Sequence, residues 1–203
     1  IPQGGSINTN GSATVKKATV ISSKGITTTT VNTKLDGKKA GKNFSITLKD
    51  STGKVLANKE VIIYFNNKVY KRTTDAKGVA TLKVAMAKKG TYGVLVSFLG
   101  DKDYDASYVT AKVKVNPQKV KIKVPTKKIK SSKKTKVLTA TLTNSKGKAI
   151  KGKKLTFTVN GKKYTAKTNS KGIAKVKVKL SKKKTYKVTV KFAGDNTYKK
   201  LTK

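Results

Sequence analysis

The sequence predicts an all-β protein that consists of two tandem sandwich domains. Val, Ile and Thr, which favour strands, are abundant, whereas Pro occurs only 3 times in 203 residues. A long sequence pattern occurs twice along the chain. Within each copy, apolar and polar residues alternate at every second position, as in a strand with one buried face. No segment has the periodicity of an amphipathic helix.

The duplicated pattern aligns without a gap. Residues 53–84, GKVLANKEVIIYFNNKVYKRTTDAKGVATLKV, match residues 147–178, GKAIKGKKLTFTVNGKKYTAKTNSKGIAKVKV. The alignment continues to Tyr104 and Tyr198, which end a shared G-D-x-x-Y sequence. Two equal copies in tandem indicate two domains of the same fold.

The individual strands are predicted from the alternation, which the second copy shows most clearly. Thr or Lys separates its apolar residues, and the dipeptide Asn160-Gly161 is a strong hairpin signal. The inward-facing residues of four strands are Leu138, Ala140 and Leu142; Leu155, Phe157 and Val159; Ala174, Val176, Val178 and Leu180; and Tyr186, Val188, Val190 and Phe192. Several short strands at this spacing predict an immunoglobulin-like sandwich.

The predicted architecture is therefore two tandem immunoglobulin-like β-sandwich domains with an N-terminal extended arm. We assign residues 1–26 to the arm, residues 27–117 to the first domain and residues 118–203 to the second domain. The shared motifs T-D/N-x-x-G-x-A and Y-x-V-x-V-x-F-x-G-D-x-x-Y resemble those of the Ig-like repeat modules of large bacterial and archaeal surface proteins. The chain is similar to adhesin-like proteins of methanogenic archaea over residues 27–203. The resemblance implies an extracellular stalk, spacer or adhesive tip.

The second domain lacks a counterpart of one strand. In the first copy Tyr108–Val115 forms a predicted last strand, and no equivalent run follows residue 201. Loss of such a strand removes about 1.5–3 kcal/mol for each large apolar side chain that it would bury. It also leaves a strand edge that can accept another strand. The predicted acceptor core residues are Tyr186, Val188, Val190 and Phe192.

A candidate donor strand lies within the arm, at about residues 12–22. KATVI, residues 17–21, resembles KVKVN, residues 112–116, at the end of the predicted last strand. A strand donated from one molecule to the next makes a head-to-tail contact that does not close, and so builds a filament of identical copies. The donor residues in this hypothesis are Val15, Ala18, Val20 and Ile21.

Two alternatives compete with strand donation. The chain can be a piece of a longer array, in which case its first residues end an upstream domain. Alternatively, Ala18–Val31 forms a long first strand of the first domain.

The charge of the chain predicts binding to anionic partners. It carries 49 basic and 8 acidic residues, a net charge of +41, and Arg72 is the only Arg. From Lys119 onward there are 29 Lys and one acid, Asp195. Such a surface attracts cell-wall or surface polyanions. The scarcity of Arg argues against specific nucleic-acid recognition, so non-specific nucleic-acid binding is a second alternative.

Catalysis is not expected, because the chain has no His, no Cys and a single Glu. We expect no cofactor. Asp101, Asp103 and Asp105 form a D-x-D-x-D spacing that is a weak calcium candidate, since the Gly and the distal Glu of an EF-hand loop are missing. Asn10 and Asn43 begin possible glycosylation sequences. No apolar run is long enough for a transmembrane helix. We therefore expect an extracellular filament subunit. The alternative is a stalk or spacer of a longer surface protein, and calcium bound at the Asp trio would stiffen such a spacer.

Overall fold

The part of the chain that a computed structural model describes comprises residues 5–7, 13–130, 135–180 and 183–203. Strands make up most of it, so the all-β prediction is confirmed. Its helical structure is the single turn α1, Thr33–Asp36. The chain forms two compact units. Unit 1 contains Ile1–Thr29 and Lys39–Asn116, and unit 2 contains Thr30–Lys38 and Pro117–Lys203.

Unit 1 is a sandwich of two sheets. A three-stranded sheet has the order β3-β5-β8, and a five-stranded sheet has the order β4-β10-β9-β6-β7. β1 and β2 form a separate antiparallel pair. The strands are β1 (Gly5–Ile7), β2 (Ala13–Val15), β3 (Thr19–Ser23), β4 (Ile26–Thr29), β5 (Lys42–Asp50), β6 (Glu60–Phe65), β7 (Lys68–Thr73), β8 (Val79–Val84), β9 (Gly90–Phe98) and β10 (Ser107–Asn116).

The core of unit 1 follows from the alternation of its strands. Phe44, Ile46 and Leu48 of β5 are buried, while the residues between them face outward. Every second residue of a strand points to the same face, so one face of each sheet is apolar and meets the other sheet. β10 pairs with β9 over nine residues, which confirms the predicted last strand of the first copy.

Unit 2 repeats this sandwich with a different last strand. Its three-stranded sheet has the order β11-β13-β16, and its second sheet has the order β12-β17-β14-β15, with β18 also paired to β17. The strands are β11 (Val120–Lys123), β12 (Lys128–Lys130), β13 (Thr135–Asn144), β14 (Lys154–Val159), β15 (Lys162–Lys167), β16 (Ile173–Lys179), β17 (Thr185–Phe192) and β18 (Leu201–Thr202).

The arm predicted at residues 1–26 differs from the structure, which places much of it inside unit 1. β3 pairs antiparallel with β5 over five residues. Ile21 of β3 is only 4% exposed and lies in the core of unit 1. Burial of this side chain stabilises β3 in place, so the segment is the first strand of the sandwich.

The alternative prediction of one long strand over Ala18–Val31 is also replaced, because the chain changes sheets within it. β3 joins the three-stranded sheet, and β4 joins the five-stranded sheet by pairing parallel with β10. Gly25 lies at the crossing, where a Cβ atom would stand 2.5 Å from the Lys112 carbonyl oxygen. The close approach of backbone to backbone explains why this position lacks a side chain.

Candidate functional site

The edge of β17 is where the sequence predicted an incoming strand. The predicted acceptor residues, all buried in the core of unit 2, are Tyr186, Val188, Val190 and Phe192. The structure places two strands of the same unit along this edge. β12 pairs with its first part over three residues, and Val188 N donates to Lys127 O at 2.7 Å. β18 pairs with its last part, and Val190 exchanges hydrogen bonds of 2.9 and 2.8 Å with Lys203.

The edge is thus closed by two short strands where unit 1 uses the single strand β10. Ile129 of β12 lies opposite Tyr186, as Val113 of β10 lies opposite Tyr92. Tyr92 and Tyr186 are equivalent in the repeat. Ile129 is buried in the core of unit 2 and so takes the place of Val113. Unit 2 fills its own core with residues that precede β13.

The predicted donor residues do not share one apolar face. Val15 is 75% exposed and Val20 is 58% exposed, and Ala18 is exposed as well. Ile21 points the other way, into the core of unit 1. Adjacent residues of a strand face opposite sides, so Val20 and Ile21 cannot both point inward.

The shared G-D-x-x-Y sequence forms the same turn in both units. Asp195 Oδ1 accepts hydrogen bonds from the N–H groups of Thr197 at 2.8 Å and Tyr198 at 2.7 Å. Asp195 Oδ2 lies 2.6 Å from Lys153 Nζ, which stands 5.6 Å from the centre of the Tyr198 ring. The equivalent residues of unit 1, with a 2.6 Å ion pair and a 5.1 Å cation–π distance, are Asp101, Lys59 and Tyr104.

These ion pairs shift the pKa values of their members. The hydrogen bond from Lys59 holds the pKa of Asp101 below its ordinary value and raises the pKa of Lys59. Burial raises the pKa of Asp195, but the Lys153 ammonium and the backbone N–H groups of the turn outweigh burial, so the net pKa is lowered. Both carboxylates are therefore ionised at neutral pH.

The D-x-D-x-D trio is not gathered around one point. Asp101 Oδ2 already faces the Lys59 ammonium. Asp103 is exposed, and Asp105 bonds through its backbone, with its N–H donating to Lys17 O at 2.8 Å. Across the described ranges, no group of three or more His, Cys, Asp or Glu side chains could hold a metal ion.

The end of unit 2 next to Tyr198 is covered by residues Thr30–Lys38, which we name the capping turn. From the sequence we expected these residues in the first domain, 27–117, whereas they fold as part of unit 2. Asn32 caps α1, and its Nδ2 donates to Tyr198 Oη at 2.9 Å. Leu35 packs against the core of unit 2. The capping turn leaves Tyr198 only 2% exposed.

The Asp36 carboxylate is the centre of the hydrogen bonds that hold the capping turn. Asp36 Oδ2 accepts from Asn32 N at 2.7 Å and from Gln118 Nε2 at 2.9 Å. Asp36 Oδ1 accepts from Asn144 Nδ2 at 3.4 Å. Gln118 precedes β11 and Asn144 ends β13, so one carboxylate joins the turn to two strands. Sequence reasoning missed this cluster, although an N-cap Asn and the absence of strand alternation around α1 could have indicated a turn.

The two outer strands of the three-stranded sheet of unit 2 each carry a row of outward Lys, on either side of the mostly Thr exterior of β13. Residues two apart on a strand point to the same face and lie about 6.8 Å apart. The five Lys, which we name the lysine face, are all exposed. They are Lys121 and Lys123 of β11 and Lys175, Lys177 and Lys179 of β16. The face concentrates positive charge on one side of unit 2.

The five-stranded sheet of unit 1 has a different exterior from its counterpart in unit 2. The exposed or half-buried apolar residues on or directly beside its outer face are Ile62, Tyr64, Val69, Leu95, Leu99 and Tyr108. At the equivalent repeat positions of the first five, unit 2 has Thr156, Thr158, Lys163, Thr189 and Ala193. Leu99 and Tyr108 line an open apolar groove of about 400 Å³. The two units therefore share a fold while presenting different surfaces.

The possible glycosylation sequences begin at Asn43 and Asn10. Asn43 is exposed on β5, and Asn10 lies outside the described residues. Within the described part of the chain, no helix is both long and apolar enough to cross a bilayer.

Comparisons with known proteins give architectural likenesses at low identity. No family model matches the chain, and no curated protein matches it. Invasin, a bacterial integrin-binding protein, is 20% identical over 91% of this chain and 38% of its own, with a TM-score of 0.49. A Ca²⁺-stabilised adhesin with which an Antarctic bacterium binds ice is 16% identical over 93% of this chain and 47% of its own, with a TM-score of 0.30. The D0-D1 domain of intimin is 18% identical over 87% and 93%, with a TM-score of 0.35. These likenesses assign no partner and no reaction to the chain.

Proposed function

We propose that the chain is a non-enzymatic, extracellular spacer of a cell-surface protein, which holds to an anionic polymer through its lysines. The observation that carries the proposal is the closed edge of β17. Because β12 and β18 pair with this edge, each unit is a sandwich that fills its core from its own chain. Self-sufficient tandem sandwiches suit a spacer. The similarity to adhesin-like proteins of methanogenic archaea stays a prediction.

The lysine face of unit 2 supports the anionic partner. Its five ammonium groups lie on two strands on either side of β13, and both strands are outer strands of the sheet. Phosphate or carboxylate groups along a polymer can meet several of them at once, and each contact releases counterions. Lys on outer strands also prevents edge-to-edge aggregation between neighbouring molecules.

The anionic-polymer proposal is tested by removing three charges from the lysine face. We expect Lys175→Gln, Lys177→Gln and Lys179→Gln together to weaken binding to immobilised poly(glycerol phosphate) by about tenfold or more at low salt. Each ammonium–phosphate contact that is lost lowers the affinity and makes it depend less steeply on the salt concentration. The matched control removes three exposed Lys of unit 1, in the variant Lys68→Gln, Lys88→Gln and Lys89→Gln. Equal loss in both variants would show that only net charge matters.

The same binding assay distinguishes the anionic-polymer proposal from a nucleic-acid function. Duplex and single-stranded DNA are used in place of the polymer. The proposal predicts steeply salt-dependent binding without preference for sequence or strand form. Binding that prefers one DNA sequence and persists at high salt would instead support nucleic-acid recognition.

A filament built by donor-strand exchange is the second candidate function. The observation that favours it is the shortness of the strands on β17: β12 pairs over three residues and β18 over two, against nine for β10 on β9. A longer donated strand could displace both and gain backbone hydrogen bonds. Exchange also requires β3 to leave β5, which removes Ile21 from its core.

Val20 allows a sharp test of exchange. It is largely exposed on β3, so Val20→Lys leaves unit 1 folded, but in an exchanged strand the residue takes the inward position of Val115. We expect, if exchange operates, that light scattering shows polymers of the parent chain and monomers of Val20→Lys. The control Ser45→Lys adds the same charge to the exposed face of the neighbouring strand β5, outside the exchanged segment, and should polymerise like the parent if exchange operates. Monomers of all three chains would rule out exchange and leave the spacer.

A further inference from the structure

One end of unit 1 is built like the end of unit 2 that the capping turn covers. In unit 2, Gln118 forms a parallel bridge with Tyr198 of the G-D-x-x-Y turn. In unit 1, Lys17 forms the same parallel bridge with Tyr104. In both units, the residue two positions before the first strand of the three-stranded sheet, β3 or β11, thus lies against the G-D-x-x-Y turn.

Asp50 in unit 1 corresponds to Asn144 in unit 2, and both begin the same loop. Asp50 Oδ1 accepts from the N–H groups of Thr52 at 2.9 Å and Lys54 at 3.1 Å. Asn144 Oδ1 accepts from the two equivalent N–H groups at 3.0 and 2.9 Å. Because the first oxygen is held in the same way, the second side-chain atom points in the same direction in both units.

That second atom has a hydrogen-bond partner in unit 2 but none in the described part of unit 1. Asn144 Nδ2 donates to Asp36 of the capping turn. Asp50 is only 2% exposed, and its Oδ2 has no hydrogen-bond partner among the described residues. Buried polar atoms are nearly always hydrogen-bonded, so an unpartnered carboxylate oxygen requires an explanation. Tyr104 is correspondingly half-buried, whereas Tyr198 is buried beneath the turn.

We propose that the end of unit 1 formed by Lys17, Asp50 and Tyr104 is a docking site for the capping turn of a neighbouring repeat of this fold. The proposal rests on the proposed function, a spacer of a cell-surface protein, and adds that a neighbouring domain of that protein has the same fold. Unit 2 itself indicates the occupant, because there such a turn buries the tyrosine, inserts an apolar side chain and satisfies the residue equivalent to Asp50.

The chemistry of this end specifies the occupying turn. The Thr52 hydroxyl, the neighbouring backbone N–H groups and the charge of Lys17 lower the pKa of Asp50, so it stays ionised. The occupant must therefore donate a hydrogen bond where the capping turn has Asp36, and an Asn or Lys there fits. Lys17 replaces Gln118 and offers a cation to a carbonyl or carboxylate of the turn. The capping turn of a second copy fits poorly, because Asp36 would face Asp50 as a like charge.

The test is a chain of three units, made of residues 1–116 followed directly by residues 16–203. Lys17 of the middle unit then follows Asn116 with the spacing that Gln118 has in the parent chain. The added residues contain the complete core of unit 1, which spans Ile21 to Val115. The capping turn of the added unit therefore precedes the middle unit, as it precedes unit 2 in the parent. Four versions combine Asp36 or Asp36→Asn in the added unit with Asp50 or Asp50→Asn in the middle unit.

The readout is amide hydrogen exchange of Ser51, Lys54 and Tyr104, measured by NMR with only the middle unit isotopically labelled. We expect hydrogen exchange to be at least tenfold slower in the two mixed versions than in the version that keeps both carboxylates. The mixed versions are Asp36→Asn with Asp50, and Asp36 with Asp50→Asn. Equal exchange in all four versions would overturn the docking site. Binding of the same four chains to poly(glycerol phosphate) is measured in parallel. If the four chains bind the polymer but show equal hydrogen exchange, only the docking site is disproved. If the chains do not bind the polymer, the proposed function is disproved.

Discussion

Tyr104 and Tyr198 occupy the same position in the repeat, but their surroundings differ between the two units. Each ring lies against a Lys that is paired with the Asp of its own turn. Tyr198 also accepts a hydrogen bond, from Asn32 of the capping turn. Burial beneath that turn raises the pKa of Tyr198. The Asp–Lys–Tyr arrangement therefore belongs to the fold, and the covering turn is an addition specific to unit 2.

The Lys153–Asp195 pair predicts a pH-dependent contribution to the stability of unit 2. The folded pKa of Asp195 is lowered, so its contribution is fully present above the unfolded value of about 3.9 and is lost as pH falls through the lower folded value. We expect Lys153→Met to cost about 0.2–1 kcal/mol of unfolding free energy at pH 7, as for a partly exposed ion pair. The difference from the parent should vanish near pH 2. Urea unfolding at both pH values measures it.

The control for this prediction is Lys154→Met, which removes the same charge one residue later, on β14. It should change the unfolding free energy by less and without dependence on acid pH. A Lys153→Met defect of equal size at both pH values would mean that packing of the Lys stem on Tyr198, and not the ion pair, is lost.

The alternation of apolar and polar residues predicted where the strands lie but not which strands pair. The buried sets of β13, β14, β16 and β17 were predicted because they depend on which residues are apolar, a local property. The use of β12 and β18 in place of one last strand was not, because Lys127–Lys130 offers a single apolar residue, Ile129. Its place on β17 depends on an edge that lies more than 50 residues away in sequence. Edge pairing is a tertiary property, and a short run gives no sign of it.

The replacement of β10 by β12 predicts a local dependence on Ile129. We expect Ile129→Ala to reduce the unfolding free energy of unit 2 by about 2–4 kcal/mol, since the side chain is buried where Val113 lies in unit 1. Val137→Ala, at a 58% exposed position of β13 in the same unit, should cost less than about 0.5 kcal/mol. Denaturant unfolding of the full chain, followed by hydrogen exchange of each unit, measures both. Similar small losses in the two variants would show that β12 contributes little to the core.

The uneven charge of the chain follows directly from its sequence, whereas the place of the capping turn in unit 2 does not. Counting residues shows that the sequence from Lys119 onward carries a net +28 and the preceding part +13. Counting cannot show that Thr30–Lys38 folds against residues more than 80 positions later. The hydrogen bonds of Asp36 to Gln118 and Asn144 decide that placement, and they exist only in the folded chain.

The uneven charge predicts that salt stabilises the two units unequally. Like charges on a folded surface repel and destabilise it. Neighbouring Lys of the lysine face lie about 6.8 Å apart, a distance shorter than the Debye length of about 10 Å at 0.1 M salt and longer than the 3 Å at 1 M. Raising NaCl from 0.1 to 1 M should therefore raise the melting temperature of unit 2 by several degrees more than that of unit 1. Hydrogen exchange during thermal unfolding of the full chain assigns each transition to its unit.

Removing the repulsion by mutation should imitate the effect of salt. The variant Lys175→Gln, Lys177→Gln and Lys179→Gln is expected to melt at a higher temperature than the parent at 0.1 M NaCl, and to gain less from 1 M NaCl. Unit 1 in the same chain is the internal control, because non-specific salting-out acts on both sandwiches alike. Equal shifts of the two transitions would contradict the prediction and would assign the response to burial. A selective shift of unit 2 means that its lysines are held close together at a cost in stability, which an anionic partner would relieve on binding.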